Sequence, residues 1–433
     1  MNSLPNARSA GLDFGTTNSV AALAGSAGDE PRLISLEGPG GSAEVFRSAL
    51  CFWQDDGVLG GLAVEAGPSA IHEYLEDPGG SRFLQSFKSV AASPSFESAP
   101  VFAKRYRFEE IGRLFLDKLA SHAGGSLGAL NRLVVGRPVH YAGARPDPVL
   151  ARQRYDAMFE GFAQEVHYVY EPLAAAFSYA SRLSEPATLL VADFGGGTSD
   201  FSVVRVEEPG AERRCLPLGH AGVGLAGDRF DQRIVDRLVL PVLGKGGSYR
   251  SFDKVLEIPP AYFNDFADWS KLALMRNRRT LNELERLQRS ALEPEAIERM
   301  IVLIENELGF ALYDAVGQLK RALSAEERAS FRFSGAGVEI DAEVTRCEFE
   351  SWIADDVARM AAAVDEALAT AGVSEGEIDR VFLTGGTSLV PMVRSVFTCR
   401  FGTAKIMSGG ELTSIAHGLA LVAQEDDLSP WTA

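Results

Sequence analysis

The order of hydrophobic and polar positions predicts strands and helices that alternate along most of the chain. Residues 188–193 are an apolar run typical of a buried strand, and residues 201–206 alternate apolar with polar positions. The same criteria predict strands at 133–138, 165–170 and 381–384, and helices near 107–122, 147–162, 171–180, 228–240 and 347–371. Strands that alternate with helices indicate an α/β fold.

Residues 263–328 differ from the rest of the chain, because Leu, Glu and Arg are dense there at helical spacing. This pattern predicts two or more long surface helices. Our hypothesis is that they form part of a surface for a partner protein; the alternative is a solvated face that binds no partner. Residues 331–344 again resemble strands.

A repeated motif divides the chain into two related halves. Residues 12–20 (LDFGTTNSV) and 192–203 (ADFGGGTSDFSV) share Asp-Phe-Gly, then small and hydroxyl residues, then an apolar segment. Each copy predicts a β-hairpin with a glycine-rich tip. A fold built from two related halves explains the repeat, and chance similarity between two glycine-rich turns is the alternative.

Both hairpin tips offer the chemistry that binds phosphate. Glycine lets the backbone approach an anion closely because it has no Cβ atom, and successive N–H groups then form an anion-binding concavity. Asp13 and Asp193, at the ends of the preceding strands, would lie beside the phosphates, so each predicts a Mg²⁺ ion held through water. The predicted phosphate-binding residues are Gly15, Thr16, Thr17, Asn18, Gly195, Gly196, Gly197 and Thr198.

A third glycine-rich segment lies toward the C-terminal end, where Gly385 and Gly386 follow a predicted strand. Thr387 or Ser388 is predicted to cap the next helix, and Pro391 falls in its first turn, where a missing N–H costs nothing. A flat ring fits over such a glycine pair, although an ordinary strand-to-helix turn has the same pattern.

Other nucleotide-binding motifs are absent from the sequence. There is no G-x-x-x-x-G-K-[ST] loop, and the glycines of the repeat lead into strands rather than helices. Asp-Phe-Gly occurs twice without an H-R-D catalytic loop, which excludes a protein kinase. No G-x-G-x-x-G joins a strand to a helix near the N-terminus, which excludes a Rossmann dinucleotide site.

The charge balance excludes some partners but not a nucleotide. The chain has 42 Lys and Arg against 59 Asp and Glu, a formal net charge of −17, whereas nucleic acids and anionic membranes require basic surfaces. Its four cysteines are far apart, so we expect reduced, mostly buried thiols. Since neither a signal-peptide pattern nor a run of about 18 apolar residues occurs, we expect a cytoplasmic monomer without membrane or nucleic-acid contact.

On these motifs, the sequence resembles the heat-shock protein 70 (DnaK) family of the actin, hexokinase and heat-shock ATPase superfamily. GLDFGTTNSV is similar to the family's first phosphate motif, VADFGGGTSDFSVV to its second, YEPLAAAFSYA to its first connecting helix and VFLTGGTSLVP to its adenosine motif. GVGLAGDRFDQRIVD resembles the segment after the second phosphate motif. The resemblance covers roughly residues 9–423 in the family's order, and the truncated, YegD-like members match best in length and layout.

The resemblance implies an actin-like (ribonuclease H-like) ATPase fold, duplicated into two lobes with a central nucleotide cleft. Residues 1–186 would form lobe I, with a small subdomain at about 37–105, and residues 187–409 lobe II, with a helical subdomain at about 228–344. Residues 410–433 would form a closing helix and a short acidic tail, without a peptide-binding domain.

The resemblance also implies roles for single residues. Asp13 and Asp193 would hold hydrated Mg²⁺, and Lys88 would orient the attacking water, with a solvated surface lysine as the alternative. The implied catalytic residues are Lys88, Glu171, Asp193, Thr198 and Asp200. The residues implied around adenosine, the ribose and the adjoining phosphates are Gly227, Asp228, Lys320, Arg321, Ser324, Gly385, Gly386, Thr387 and Ser388.

The activity implied by the resemblance is Mg²⁺-dependent binding and hydrolysis of ATP, with ADP as product and a protein partner or co-chaperone that responds to lobe movement. Gly317 and Leu389 depart from the family, which has an acid and an arginine there, so adenine selectivity is open. The alternatives are a small-molecule kinase of the same superfamily, an assembly protein, and a nucleotide sensor with little hydrolysis.

Overall fold

A computed structural model describes residues 8–26, 29–143, 145–208, 215–268, 271–272, 275–407, 409–410 and 412–432. Residues 1–7 of the expected lobe I, and residues 269–270 and 273–274 of the expected surface helices, lie outside this part.

The described strands are β1 (Ser9–Phe14), β2 (Asn18–Leu23), β3 (Arg32–Leu33), β4 (Leu36–Gly38), β5 (Gly41–Ala43), β6 (Phe46–Arg47), β7 (Ala49–Gln54), β8 (Leu62–Ala66), β9 (Ser81–Gln85), β10 (Ala99–Val101), β11 (Lys104–Tyr106), β12 (Leu130–Arg137), β13 (Ala163–Tyr170), β14 (Ala187–Phe194), β15 (Ser199–Val206), β16 (Cys215–Val223), β17 (Ser248–Ser251), β18 (Lys254–Glu257), β19 (Arg328–Gly335), β20 (Val338–Thr345), β21 (Arg380–Thr384) and β22 (Ile406–Met407).

The described α-helices are α1 (Gly67–Glu76), α2 (Phe108–His122), α3 (Pro148–Phe159), α4 (Glu171–Ala180), α5 (Gly227–Ile234), α6 (Pro260–Phe266), α7 (Arg278–Ser290), α8 (Pro294–Glu305), α9 (Gly309–Ala325), α10 (Arg346–Ala371), α11 (Pro391–Phe401) and α12 (Ser414–Val422). None of them is both long enough and apolar enough to cross a membrane.

Two mixed sheets with the same strand order form the centre of the protein. The order is β13–β12–β1–β2–β3 in the first sheet and β22–β21–β14–β15–β16 in the second, and β6 pairs with the start of β2. In each sheet the middle strand is parallel to one neighbour and antiparallel to its hairpin partner. The sheets are therefore two copies of one arrangement, which confirms the α/β class and the duplication predicted from the repeat.

The repeated motifs occupy equivalent places in the two sheets. Asp13 lies near the end of β1, opposite Val20 of β2, and Asp193 lies near the end of β14, opposite Asp200 of β15. Both middle strands are buried almost throughout, because each pairs with a strand on either side and is covered on both faces of its sheet. We call the chain up to α4 lobe I and the chain from β14 to β22 lobe II.

Helices α4 and α12 pack against each other between the two sheets. A Cβ atom at Gly418 would lie 1.7 Å from the carbonyl oxygen of Ala174, and one at Gly11 would lie 2.3 Å from the backbone nitrogen of Ala420. Only glycine fits at these points, since the backbones themselves are in contact. The apolar cluster around α4 and α12 includes residues from both sheets.

The residues after α12 fold back over this central cluster. Leu428 and Trp431 are buried. The Trp431 ring packs edge-on against Phe177 of α4 at 5.3 Å, and its indole N–H donates to the carbonyl oxygen of Cys215 at 3.0 Å. The expected acidic tail is thus anchored by apolar residues and connects α4 of lobe I to β16 of lobe II.

The outer parts of the two lobes also meet. Glu307, between α8 and α9 of lobe II, pairs with Arg82 of β9 at 3.1 Å and with Arg276 at 3.1 Å. The Tyr74 hydroxyl of α1 donates to the Glu307 carbonyl oxygen, and the Phe310 ring contacts the ring of Tyr74. We call this contact the outer seam.

Three local expectations need correction. The helix expected at 228–240 is α-helical only to Ile234, and a π-turn continues it to Val239. Neither Thr387 nor Ser388 caps α11, because a 3-10 turn at 386–389 intervenes and the Ser388 hydroxyl donates to the Gly385 carbonyl. The four cysteines are free, but two are buried and two, Cys347 and Cys399, are exposed.

Candidate functional site

The two glycine-rich turns meet between the lobes. A Cβ atom at Gly196 would lie 2.5 Å from the Thr17 hydroxyl oxygen, and one at Gly197 would lie 3.6 Å from the Thr16 hydroxyl oxygen. The tip of β1–β2 and the tip of β14–β15 therefore face one another across a single cleft. Two glycine-rich turns from different halves of the chain are thus brought to the same place.

The first turn is held by a residue that the sequence did not single out. The Ser48 hydroxyl donates to the Gly15 carbonyl at 2.7 Å, and the Ser48 N–H donates to the Thr17 carbonyl at 2.9 Å. Gly15 must be glycine, because a Cβ atom there would lie 2.1 Å from the Asn18 carbonyl oxygen. Ser48, which directly follows β6, thus holds the carbonyl groups of Gly15 and Thr17 and fixes the conformation of the turn.

The second turn is held by the start of α5. The Gly195 N–H donates to the Thr198 carbonyl at 3.0 Å, and the Asp228 N–H donates to the Gly196 carbonyl at 2.8 Å. A Cβ atom at Gly227 would lie 2.8 Å from the Thr387 hydroxyl oxygen. The structure therefore brings the 195–198 turn, Gly227, Asp228 and Thr387 together.

A buried ion pair lies beneath the turns. The Lys88 ammonium contacts the Glu171 carboxylate at 2.6 Å, and each side chain is 7% exposed. Burial alone would lower the pKa of Lys88, but the Glu171 carboxylate raises it above its ordinary value, so the lysine stays charged. The alternative of a solvated surface lysine is therefore wrong.

Three aspartates share the interior with this pair. Burial, with the charge of Glu171, raises the pKa of Asp13 to about 7 and that of Asp200 to about 7. Burial and the neighbouring carboxylates also raise the pKa of Asp193 well above its ordinary value. Since these groups come from both sheets, the ends of β1, β14 and β15 concentrate negative charge in one buried place.

These carboxylates fit a hydrated cation. Among the described residues, no three His, Cys, Asp or Glu side chains form a metal-binding group by themselves. Mg²⁺, however, is usually held by one or two carboxylates together with water and substrate phosphates. The buried Asp200 Oδ2 has no hydrogen-bond partner, which fits an additional bound group such as a water of a hydrated ion.

Asp200 also joins the lobes directly. Its Oδ1 accepts the backbone N–H of Val139 at 2.7 Å and that of His140 at 3.0 Å, both from the segment after β12. A carboxylate of lobe II thus accepts hydrogen bonds from the backbone of lobe I, and the two lobes are linked directly at this end of the cleft.

The expected adenosine residues are only partly assembled. Lys320 pairs with Asp231 at 2.7 Å and donates to the Gly227 carbonyl at 3.1 Å, so it lies beside the second turn. The Ser324 hydroxyl donates to the Lys320 carbonyl within α9 at 2.9 Å, and Arg321 is exposed. Of the three, only Lys320 has a described contact with Gly227, next to the second turn.

The glycine pair after β21 faces open space on one side. Gly385 has a φ of +81°, and a Cβ atom there would lie 2.1 Å from the Phe194 carbonyl oxygen, whereas one at Gly386 would meet nothing within 4 Å. Leu389 is 55% exposed, and a Cβ atom at Gly317 would lie 3.3 Å from the Arg321 guanidinium. A flat ring has room over Gly386, next to an exposed leucine.

This architecture is the actin-like nucleotide-binding fold: two duplicated α/β lobes whose Asp-bearing hairpins meet across one cleft. The family model described as Hsp70 protein matches residues 89–246 and 304–424, more than half of the chain. The chain therefore belongs to the Hsp70 family, with its nucleotide-binding domain. The first glycine-rich turn and the segment 247–303, which holds β17, β18, α6 and α7, lie outside the matched residues.

The chain is also similar to the chaperone protein DnaK of three bacteria, Thermotoga petrophila, Thermotoga sp. (strain RQ2) and Thermotoga maritima. It is 25% identical to each over 415 residues, which are 95% of this chain and 58% of the relative. The chain thus spans less than two thirds of the length of these relatives.

Proposed function

We propose that this Hsp70-family protein binds Mg²⁺·ATP between its lobes and hydrolyses it to ADP and phosphate. The observation that supports this most directly is the meeting of Thr17 and Gly196, which brings two glycine-rich turns to one buried cluster of carboxylates. A triphosphate with its metal ion matches both the N–H donors of the turns and the negative charge below them.

The residues of the chain would act mainly by position and charge, as phosphoryl transfer requires. The N–H groups of residues 15–17 and 195–198 would bind the β- and γ-phosphates. Asp13 and Asp193 would hold the hydrated ion, which when bound neutralises charge on those phosphates. Lys88, fixed by Glu171 at 2.6 Å, would orient the attacking water.

A calorimetric titration tests binding. ATP, ADP and GTP would be titrated with and without Mg²⁺ into the wild type, Asp193→Asn and the control Asp341→Asn, whose carboxylate is 72% exposed. We expect Mg²⁺ to tighten ATP binding by the wild type, and Asp193→Asn to weaken Mg²⁺·ATP binding about tenfold or more, as loss of a charged partner does. Equal Mg²⁺·ATP affinities of Asp193→Asn and the wild type would refute the metal-binding role of Asp193. A wild type that binds no nucleotide would refute the proposed function.

Product analysis separates hydrolysis from the alternatives. Phosphate release from ATP without an added metabolite supports a hydrolase. Phosphoryl transfer to a metabolite would favour the kinase instead, and tight binding without turnover would favour a sensor. The exposed Leu389 and the space over Gly386 bear on base selectivity, so the ratio of ATP to GTP affinity from the same titration is part of this test.

A role related to the DnaK chaperones would require a partner that responds to the nucleotide. Closure of a two-lobed cleft is a common way to signal a bound ligand. The charged helix α7 carries internal pairs, Arg279 with Glu283 at 3.0 Å and Arg289 with Glu285 at 3.5 Å, which a solvated face also has. The helical region therefore stays a hypothesis for the partner surface, and retention of every partner after its deletion would refute it.

A further inference from the structure

Arg47 is a cation of lobe I that neither the repeat nor the family resemblance singles out. It lies in β6 opposite Asn18, the last residue of the first glycine-rich turn. The next residue, Ser48, makes the two hydrogen bonds to Gly15 and Thr17 that fix this turn. The backbone of Arg47 is therefore placed as firmly as the turn itself.

Phe46, the strand neighbour of Arg47, is buried in the core of lobe I, so the side chain of Arg47 lies on the other face of β6. Burial lowers the pKa of its guanidinium, while Asp228 and Asp231 of α5 raise it and Arg321 of α9 lowers it further. Asp228 and Asp231 belong to lobe II, so charges of the opposite lobe act on the half-buried Arg47. Asp228 in turn lies against the second glycine-rich turn, because a Cβ atom at Gly196 would be 3.0 Å from its carboxylate.

The other cations near the turns already have carboxylate partners. Lys88 is paired with Glu171 at 2.6 Å, and Lys320 with Asp231 at 2.7 Å. The ion pairs of the described residues include none with Arg47. The guanidinium of Arg47, beside the first turn, is thus left without an ion-pair partner among the described residues, and its planar fork suits the oxygens of a phosphate.

Charge favours a phosphate there as well. The interior below the turns holds carboxylates from both sheets, and a triphosphate would add further negative charge beside them. A buried charge is stable where an opposite charge compensates it. Arg47, beside the first turn, would supply such compensation from the lobe I side.

We propose that Arg47 binds the phosphate chain of the nucleotide from lobe I, beside the first glycine-rich turn, and so makes binding of a polyphosphate draw the lobes together. This inference rests on the proposed function, since it names a further residue of the same site. It assigns Arg47 to the phosphates and not to the base or the ribose.

The test compares ligands that differ only in phosphates. ATP, ADP and adenosine would compete with a fluorescent ATP analogue on the wild type, Arg47→Met, Arg47→Lys and the control Arg332→Met, whose side chain is 76% exposed on β19. Arg47→Met should weaken ATP and ADP binding by about 10- to 100-fold and leave adenosine binding unchanged, because a hydrogen bond to a charged group is lost. Arg332→Met should bind as the wild type does.

Other outcomes would overturn the proposal in distinguishable ways. ATP affinity of Arg47→Met within about twofold of the wild type would remove Arg47 from the site, given that a charged contact is worth more than tenfold. An equal loss for adenosine would assign it to the nucleoside. No nucleotide binding by the wild type would refute the proposed function itself. If Arg47→Met unfolds, Arg47→Lys decides: weaker ATP binding with unchanged adenosine binding supports the proposal, and wild-type affinity for ATP overturns it.

Discussion

At the scale of single residues, the charge balance beneath the glycine-rich turns depends on Lys88. It is the buried cation among Asp13, Asp193, Asp200 and its own partner Glu171, and it lowers the pKa of Asp13 and Asp193 against the effect of burial. Without Lys88, the carboxylate of Glu171 would be left buried and unpaired, a state that proteins avoid.

We expect the ATP affinity of Lys88→Met to stay within a few fold of that of the wild type. Its turnover should fall about 100-fold or more, because a side chain that orients the attacking water contributes a rate factor of this size. Phosphate release and a binding titration on the same sample give the two quantities. The matched control is Lys118→Met, which breaks a pair with Glu65 at 2.7 Å in another part of lobe I and should leave turnover unchanged. Normal turnover by Lys88→Met would reassign the lysine to stability alone.

The site residues that can be predicted from the sequence are those of the repeated hairpin motif. Asp13 and Asp193 were predictable because the same letters occur at two equivalent hairpins, and a duplicated pattern is a strong signal. Ser48 and Arg47 were not predictable, because the short strand β6 before an apolar run matches no recognisable sequence motif. Their roles arise only when β6 lies beside β2, a contact between residues 18 and 47 that no local pattern encodes.

At the scale of elements, periodicity predicted the type of the main strands and helices, because burial on one face imposes it. The sequence pattern did not predict the start of α11 correctly. The Ser388 hydroxyl, expected to cap this helix, donates instead to a carbonyl of the preceding turn. The sequence pattern also gave no sign that the segment after α12 is anchored, because two apolar residues among acidic ones have no period. Trp431 and Leu428 are nevertheless buried against the central cluster.

Trp431→Ala should lower the free energy of unfolding by about 3 kcal/mol, the usual cost of removing a buried aromatic side chain. Trp431→Phe keeps most of the packing against Phe177 and loses only the N–H bond to Cys215, so we expect about 1 kcal/mol. Guanidinium unfolding, followed by circular dichroism, measures both variants. Wild-type stability of Trp431→Ala would mean that the segment does not rest on the central cluster in solution.

At the scale of the whole molecule, the lobes touch away from the turns at the outer seam and at the central helices, in addition to the contact of Asp200 with Val139 and His140. The sequence predicted the duplicated sheets but not the seam, because its partners are far apart in the chain: Arg82 and Glu307 differ by 225 positions. No periodicity or motif connects such residues. Only the three-dimensional packing of α1 and β9 against α9 brings them together.

Glu307→Ala should speed the release of bound ADP about tenfold, because loss of its pair with Arg82 removes part of the contact between the lobes. Stopped-flow displacement of a fluorescent ADP analogue measures the rate. Glu305→Ala, at the exposed end of α8, is the control and should release ADP at the wild-type rate. An unchanged rate for Glu307→Ala would show that the seam does not limit opening.

The central cluster has a further consequence for how the duplicated halves relate. Its members come from β12 and β13, from β14 and β15, and from α12 at the far end of the described chain. A polypeptide cut between α4 and β14 would leave each fragment with an apolar face that its own residues cannot cover. The halves repeat one arrangement, yet they share one apolar cluster, so we expect each to need the other to fold and the two to unfold together.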